Sequence, residues 1–217
     1  MDWQALWVSI RLAGWTVVLL LPLALLLARL LAWRRFPGRL VLESVIALPL
    51  VLPPSVLGFY FLSFFNPGAP LGRWLMETTG ATLVFSFPGL VLASLVYSLP
   101  FAVQPLLRAF QAIPPQLREA AWCSGLGPWR TFWKIELPLA RGGLLSALVL
   151  SFAHTLGEFG VVLMVGGNMP GRTRTLAVAI YDRVQAFDEA AAARMSLFLL
   201  GFSLIAVMAV FAVERRR

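Results

Sequence analysis

The sequence predicts an all-α integral membrane protein with about five transmembrane helices, and three observations carry that prediction. Of the 217 residues, 59% are hydrophobic and 13% are charged, where a soluble domain carries about a quarter charged residues. The apolar residues gather into five runs, each near the ~20 helical residues that a ~30 Å hydrocarbon core requires. The segments between the runs are short and rich in Arg, Pro and Gly. They leave no room for a soluble domain, so residues 1–217 read as a single transmembrane domain.

The runs fall at residues 9–31, 41–65, 83–107, 144–165 and 195–213. The first is Leu-rich, with Pro22 as a kink. It is too long for the core of a cleavable signal, and Arg29, Arg34 and Arg35 follow it. The second contains Pro49, Pro53, Pro54 and Ser55 in A-L-P-L-V-L-P-P-S-V-L-G-F-Y, so it must bend or break. Irregular backbone at membrane depth is stable only inside protein or along a wet cavity, so this bend either lines a pathway or is buried as a packed kink. The fourth run opens with small residues (Gly142, Gly143, Ser146, Ala147, Ser151, Ala153) that permit close helix packing. It then carries His154, Thr155, Gly157, Glu158 and Gly160. An acid at membrane depth must be paired or face water. Arg11, Arg29, His154 (one turn away) and a backbone donor are the candidate partners of Glu158, and its expected role is that of a structural or gating hinge between Gly157 and Gly160.

Between the runs lie a turn-rich segment at 66–82, a polar loop at 114–140 and a second polar segment at 166–194. In the last, Leu176, Ala179, Ile180 and Val184 share one helical face. Residues 175–184 are therefore expected to form an interfacial helix, either a docking surface or a lid packed on the bundle. In the 114–140 loop, Pro114-Pro115 opens a helix expected at 116–124, Gly125 and Gly127-Pro128 end it, and a second helix at 129–137 is expected to stop at Pro138.

Charge sets the expected orientation. The net charge is +8, and 17 of the 18 basic residues are Arg. With five spans and the 114–140 loop inside, 12 basic residues fall on the cytoplasmic side and 6 outside. The positive-inside rule then places the N-terminus outside and the C-terminus in the cytoplasm of a bacterial or archaeal cell. Such an excess of Arg suits anionic lipid, not nucleic acid. The one cysteine, Cys123, excludes an internal disulfide, and the single His with scattered acids offers no metal-ligand cluster.

The 114–140 loop resembles the signature loop of ATP-binding-cassette (ABC) importer permeases. The family pattern is E-A-A, three residues, G, nine residues, I-x-L-P. Here it stands as Glu119, Ala120, Ala121, Gly125, Ile135, Leu137 and Pro138, preceded by Arg118. Three further stretches resemble the molybdate, tungstate and sulfate branch: L-P-L-V-L-P-P-S-V-L-G-F-Y, L-G-E-F-G and G-G-N-M-P-G-R-T-R-T-L-A-V-A-I-Y, at 48–60, 156–160 and 166–181.

The resemblance implies a type I ABC importer permease fold and a homodimer that joins two ATPase subunits and an external binding protein to import molybdate or tungstate, with sulfate as the alternative. It implies that Arg118–Ala121, Gly125, Ile135, Leu137 and Pro138 couple to the ATPase. Pro53, Pro54, Ser55, Thr155, Gly157, Glu158, Gly160 and Asn168 are the candidates for pathway or gate. ATP and Mg²⁺ would sit on the ATPase subunit, because this chain has no G-x-x-x-x-G-K-[ST] loop. The chain itself is expected to bind no cofactor and to catalyse nothing. An intramembrane protease is disfavoured: no G-x-S-x-G occurs, and Asp2, Asp182 and Asp188 all fall outside the spans. A self-sufficient secondary transporter would show paired repeats, and none is evident.

Overall fold

The computed structural model describes residues 1–214; the expected cytoplasmic Arg215–Arg217 lie outside them. The described residues are helical, without a strand. The bundle is built on α1 (Trp3–Trp33), α5 (Phe87–Gln111) and α9 (Arg141–Gly157), which pack on one another. Small residues let them come close: Ala24, Ala28, Ala102, Ala109 and Ala147 are buried among Leu20, Leu31, Leu106 and Phe110. A Cβ on Gly143 would clash with the Ala109 side chain and lie 2.8 Å from the Pro105 carbonyl oxygen. At 31 residues, α1 is about 46 Å long. It is therefore longer than a ~30 Å hydrocarbon core is thick.

Among the described residues three helices, α1, α5 and α12 (Glu189–Glu214), are each long and apolar enough to cross a membrane, and up to five spans result if each of two bent pairs counts as one. The second expected span is one of these pairs. Of the expected bend or break it shows a sharp break: α2 (Arg39–Ala47), a 3₁₀ turn (Leu48–Leu50) and α3 (Pro54–Phe65) meet at 109°. The cause is local. Pro53 precedes Pro54, which drives it to extended backbone (φ −56°, ψ 137°), and neither proline has an N–H to continue a helix.

The fourth expected span is also interrupted. α9 ends at Gly157, Glu158 is extended (φ −68°, ψ 130°), and α10 (Gly160–Gly166) resumes beyond it. The third span runs four residues later than expected, as Phe87–Gln111, because Ser86 caps it by accepting from the Gly89 N–H. The turn-rich 66–82 segment contains a helix that its Gly and Pro content conceals: α4 (Pro70–Thr79) starts with Pro in its first turn and ends on Gly80 at φ +69°.

At the opposite end from the 114–140 loop, α11 (Leu176–Gln185) occupies nearly the expected residues. It is packed on the bundle through Leu176, Val178 and Ala179, all buried. Ser9 accepts from the Leu176 N–H at 2.8 Å, and Arg174 pairs with Asp182 at 3.6 Å. Its outer side stays open at Tyr181, Val184 and, just beyond it, Phe187.

Candidate coupling site and translocation wall

The 114–140 loop folds as two short helices in series. Pro114 is extended before Pro115, and α6 follows as Pro115–Cys123. The chain leaves α6 through Gly125 at φ +80°, a conformation that costs an L residue about 1–2 kcal/mol. The Gly125 N–H reaches the Trp122 carbonyl and the Leu126 N–H the Ala121 carbonyl. α7 (Pro128–Thr131) leads into a π turn (Phe132–Glu136) and then α8 (Leu137–Leu139). Pro138 does not stop this helix as expected; it continues to Leu139 and bends by 72° into α9. The wider turn has a reason. Pro138 has no N–H to offer the carbonyl four residues back, and the π turn lets the Leu137 N–H reach Phe132 instead.

That turn also aims Glu136 inward. Its carboxylate is fully buried and accepts from Arg29 Nε at 2.6 Å and Arg118 Nε at 2.9 Å. Arg29 Nη2 donates to the Pro128 carbonyl at 3.0 Å. The Arg118 guanidinium lies between two indoles, 4.0 Å from the Trp33 ring centre and 4.9 Å from that of Trp122. Arg29 sits 5.1 Å from the ring centre of Phe132. One carboxylate thus ties α1, α6 and the run into α9 together. A buried carboxylate persists only when paired in this way.

The other expected coupling residues divide by exposure. Glu119, Ala120 and Pro138 are exposed, while Ala121 is buried against the chain itself. The open face is therefore Glu119-Ala120 and not the full E-A-A. Ile135 and Leu137 are half-buried and flank Glu136.

The pathway candidates come together along the α5–α9 seam and at the α3–α10 contact. Pro54 packs on Gly160, where a Cβ would stand 2.7 Å from the Pro54 Cβ. Thr155 shares a 2.9 Å hydrogen bond with Ser98. Ser98 also meets His154 Nδ1 at 3.1 Å, and the imidazole stacks on Phe101 with centroids 3.9 Å apart. Glu158 is buried and accepts from Ser94 Oγ at 3.2 Å. Among the described residues none of its expected partners is used: Arg29 is taken by Glu136, His154 by Ser98, Arg11 lies over Phe87, and no backbone N–H reaches the carboxylate. Ser55 and Gly157 stay on the surface. Asn168 is not on the seam. Its amide donates to both Asp182 oxygens at 2.8 Å and its carbonyl accepts from Arg174, so it holds the 166–194 segment in shape.

Sequence reasoning passed over Glu136, Ser94 and Ser98, and it offered Arg29 to Glu158 instead of Glu136. Glu136 was discoverable: it is the unspecified position of I-x-L-P, an acid between two apolar residues in a stretch that also holds Arg118, Arg130 and Lys134.

The helical bundle, with two broken spans and a polar loop clamped to its end, has the fold of ABC transporter membrane components. Its fold matches that of a bacterial ABC transporter that imports the acidic polysaccharide alginate, with a TM-score of 0.78, 19% identity, and coverage of 98% of this chain and 78% of that one. A methionine ABC transporter in inward-facing form matches with a TM-score of 0.65 at 17% identity, over 98% of this chain and 94% of that one. The chain belongs to the family of binding-protein-dependent transport system inner membrane components, whose model matches residues 21–217. It is thus a multi-pass, non-catalytic permease component of a binding-protein-dependent system. It is 46% identical over 214 residues to a molybdenum transport system permease protein of Azotobacter vinelandii, covering 99% of this chain and 95% of the relative. It is 37% identical to the protein of the same description in Escherichia coli (strain K12), over 95% and 91%. A sulfate transport system permease protein of the same organism is 32% identical over 88% of this chain and 69% of its own length.

Proposed function

We propose that this chain forms the membrane pathway of an ATP-driven molybdate importer, as a homodimer served by two ATPase subunits and an external binding protein. Molybdate is favoured over sulfate because the molybdenum permeases share 46% and 37% of aligned residues with the chain and the sulfate permease 32%. The N-terminus would lie outside and the 114–140 loop in the cytoplasm. ATP and Mg²⁺ would be held by the ATPase alone.

The observation that carries the coupling role is the clamp at Glu136. α6 offers Glu119 and Ala120 outward, where a cleft of the ATPase would receive them. Arg118, next in sequence, is tied through Glu136 to Arg29 of α1. A push on α6 therefore moves α1 and, through α8, α9 as one unit. At its far end α9 reaches the Gly157–Gly160 break, where Gly160 bears on Pro54 at the other broken span. Two discontinuities in contact form a joint through which the two halves would turn between inward and outward access. Glu158, held by Ser94, acts in this reading as a positioning acid of the joint. A bare carboxylate on the path would repel a dianion.

The test is ATP-driven molybdate uptake by the purified complex in proteoliposomes. Glu119→Arg and Gly125→Trp each reduce uptake at least roughly tenfold while the spans still insert; full uptake in both overturns the assignment. Sulfate competing at equal concentration would transfer the reading to the sulfate branch.

A further inference from the structure

We propose that the inner end of α1 and the coupling helix α6 together form a binding site for one anionic phospholipid of the cytoplasmic leaflet. The inference rests on the orientation given above, with the 114–140 loop inside. A cavity of about 520 Å³ lies between the two helices, and its wall includes Arg29, Arg34, Arg118, Trp33 and Trp122. Arg29 and Arg118 share the single carboxylate of Glu136. Arg34 has no ion pair among the described residues. Three guanidiniums against one carboxylate leave the site with a charge of +2, complementary to a phosphate and matched to it in geometry by the planar donor forks of Arg. Arg118 is held between two indoles, so it loses little freedom on binding.

The apolar part of the site distinguishes a lipid from a free anion. Leu26 and Leu30 complete the cavity wall, and they are 63% and 37% exposed. They end a stripe along α1 through Trp15, Leu19 and Leu23, all exposed, at helical spacing. The stripe runs along the membrane-embedded length of α1 and delivers an acyl chain to the arginines. With the 114–140 loop inside, the cavity would stand at headgroup level at the inner end of α1, the depth that its two Trp residues favour. A free phosphate would have no use for the leucines. Seated there, a lipid phosphate bridges Arg34 on α1 and Arg118 on α6. It adds a second tie across the joint that Glu136 already spans, and basic pockets at this depth suit anionic headgroups in general.

The experiment uses the whole permease–ATPase complex in detergent, delipidated and titrated with phosphatidylglycerol or phosphatidylcholine, with retained lipid counted by native mass spectrometry. Wild type is expected to retain phosphatidylglycerol in preference to phosphatidylcholine, one per permease chain. Arg34→Gln is expected to lower that preference about fivefold, and 10 mM inorganic phosphate, roughly twentyfold over the lipid, is expected not to displace the bound lipid. Equal retention of the two lipids, an unchanged preference in Arg34→Gln, or displacement by inorganic phosphate each overturns the proposal. So does retention of lipid only when the ATPase is absent, which would assign the basic wall to an acidic surface of that subunit. The count does not depend on transport. Loss of lipid preference with uptake intact therefore refutes this inference alone, whereas labelling of Cys123 by an impermeant thiol reagent from outside the cell refutes the orientation beneath it.

Discussion

Replacing Glu136 with Gln removes the charge that holds two arginines while keeping the shape of the side chain. Removing one partner of a fully buried ion pair costs about 3–5 kcal/mol, because the remaining charge is stranded. Here the carboxylate is fully buried, but the side chains of Arg29 and Arg118 are 26% and 14% exposed. Water therefore reaches the stranded guanidiniums and reduces the cost to about 1.5–3 kcal/mol. For a chain of this size, each kcal/mol shifts Tm by about 2–4 °C. Melting of the solubilised complex, followed by size-exclusion fluorescence, should therefore fall by roughly 3–12 °C. Once Glu136→Gln is in place, Arg118→Gln should cost much less than it does alone, with an interaction term of about 1 kcal/mol or more. Adding Glu136→Gln should also loosen coupling, so that more ATP is hydrolysed per molybdate taken up. An unchanged Tm, or strictly additive double-variant effects, would mean that the carboxylate does not hold the loop to α1.

Four further outcomes follow from the packing. Gly143→Val should destabilise the bundle by about 1–3 kcal/mol, because Ala109 and the Pro105 carbonyl leave no space for a Cβ; yield of monodisperse protein and Tm would register it. Gly160→Val forces α10 away from Pro54 and should lower the uptake rate severalfold in proteoliposomes while the ATPase still co-purifies. Ser98→Ala leaves Thr155 and His154 without their shared partner and should cost about 1–2 kcal/mol, read as a drop in Tm. Asn168→Ala should shift Tm by no more than the equivalent of ~1 kcal/mol and leave the KM for uptake unchanged. Its partners lie on an exposed segment, so a large rise in KM would restore it as a cargo contact.

The helices were legible because membrane spans are written in composition: five apolar runs lie at about the observed places, and the coupling loop has its motif at fixed spacing. What sequence could not give was set by partners far along the chain. Glu158 pairs with Ser94, 64 residues away, and Glu136 with Arg29, 107 residues away. Neither choice follows from local spacing, and hydroxyl donors are common enough to escape notice. The prolines are a different case. Pro53-Pro54 and Pro138 both signalled a disturbance but not its size. Two successive residues without an N–H broke the second span, whereas Pro138 was absorbed by a π turn that also buried Glu136. In α4, proline served as a helix start within a segment whose Gly and Pro otherwise read as turns.

The most direct test uses the native cysteine. Cys123 is exposed at the C-terminal end of α6, and no other cysteine competes with it. A short bifunctional thiol reagent, applied to the complex with single cysteines placed around the docking cleft of the ATPase, should give a specific permease–ATPase adduct. Its yield should change with ATP and fall sharply with Glu119→Arg. Cys123 that reacts freely with small thiol reagents, yet forms no adduct with any cleft position, would contradict the account that ATP drives this permease through α6.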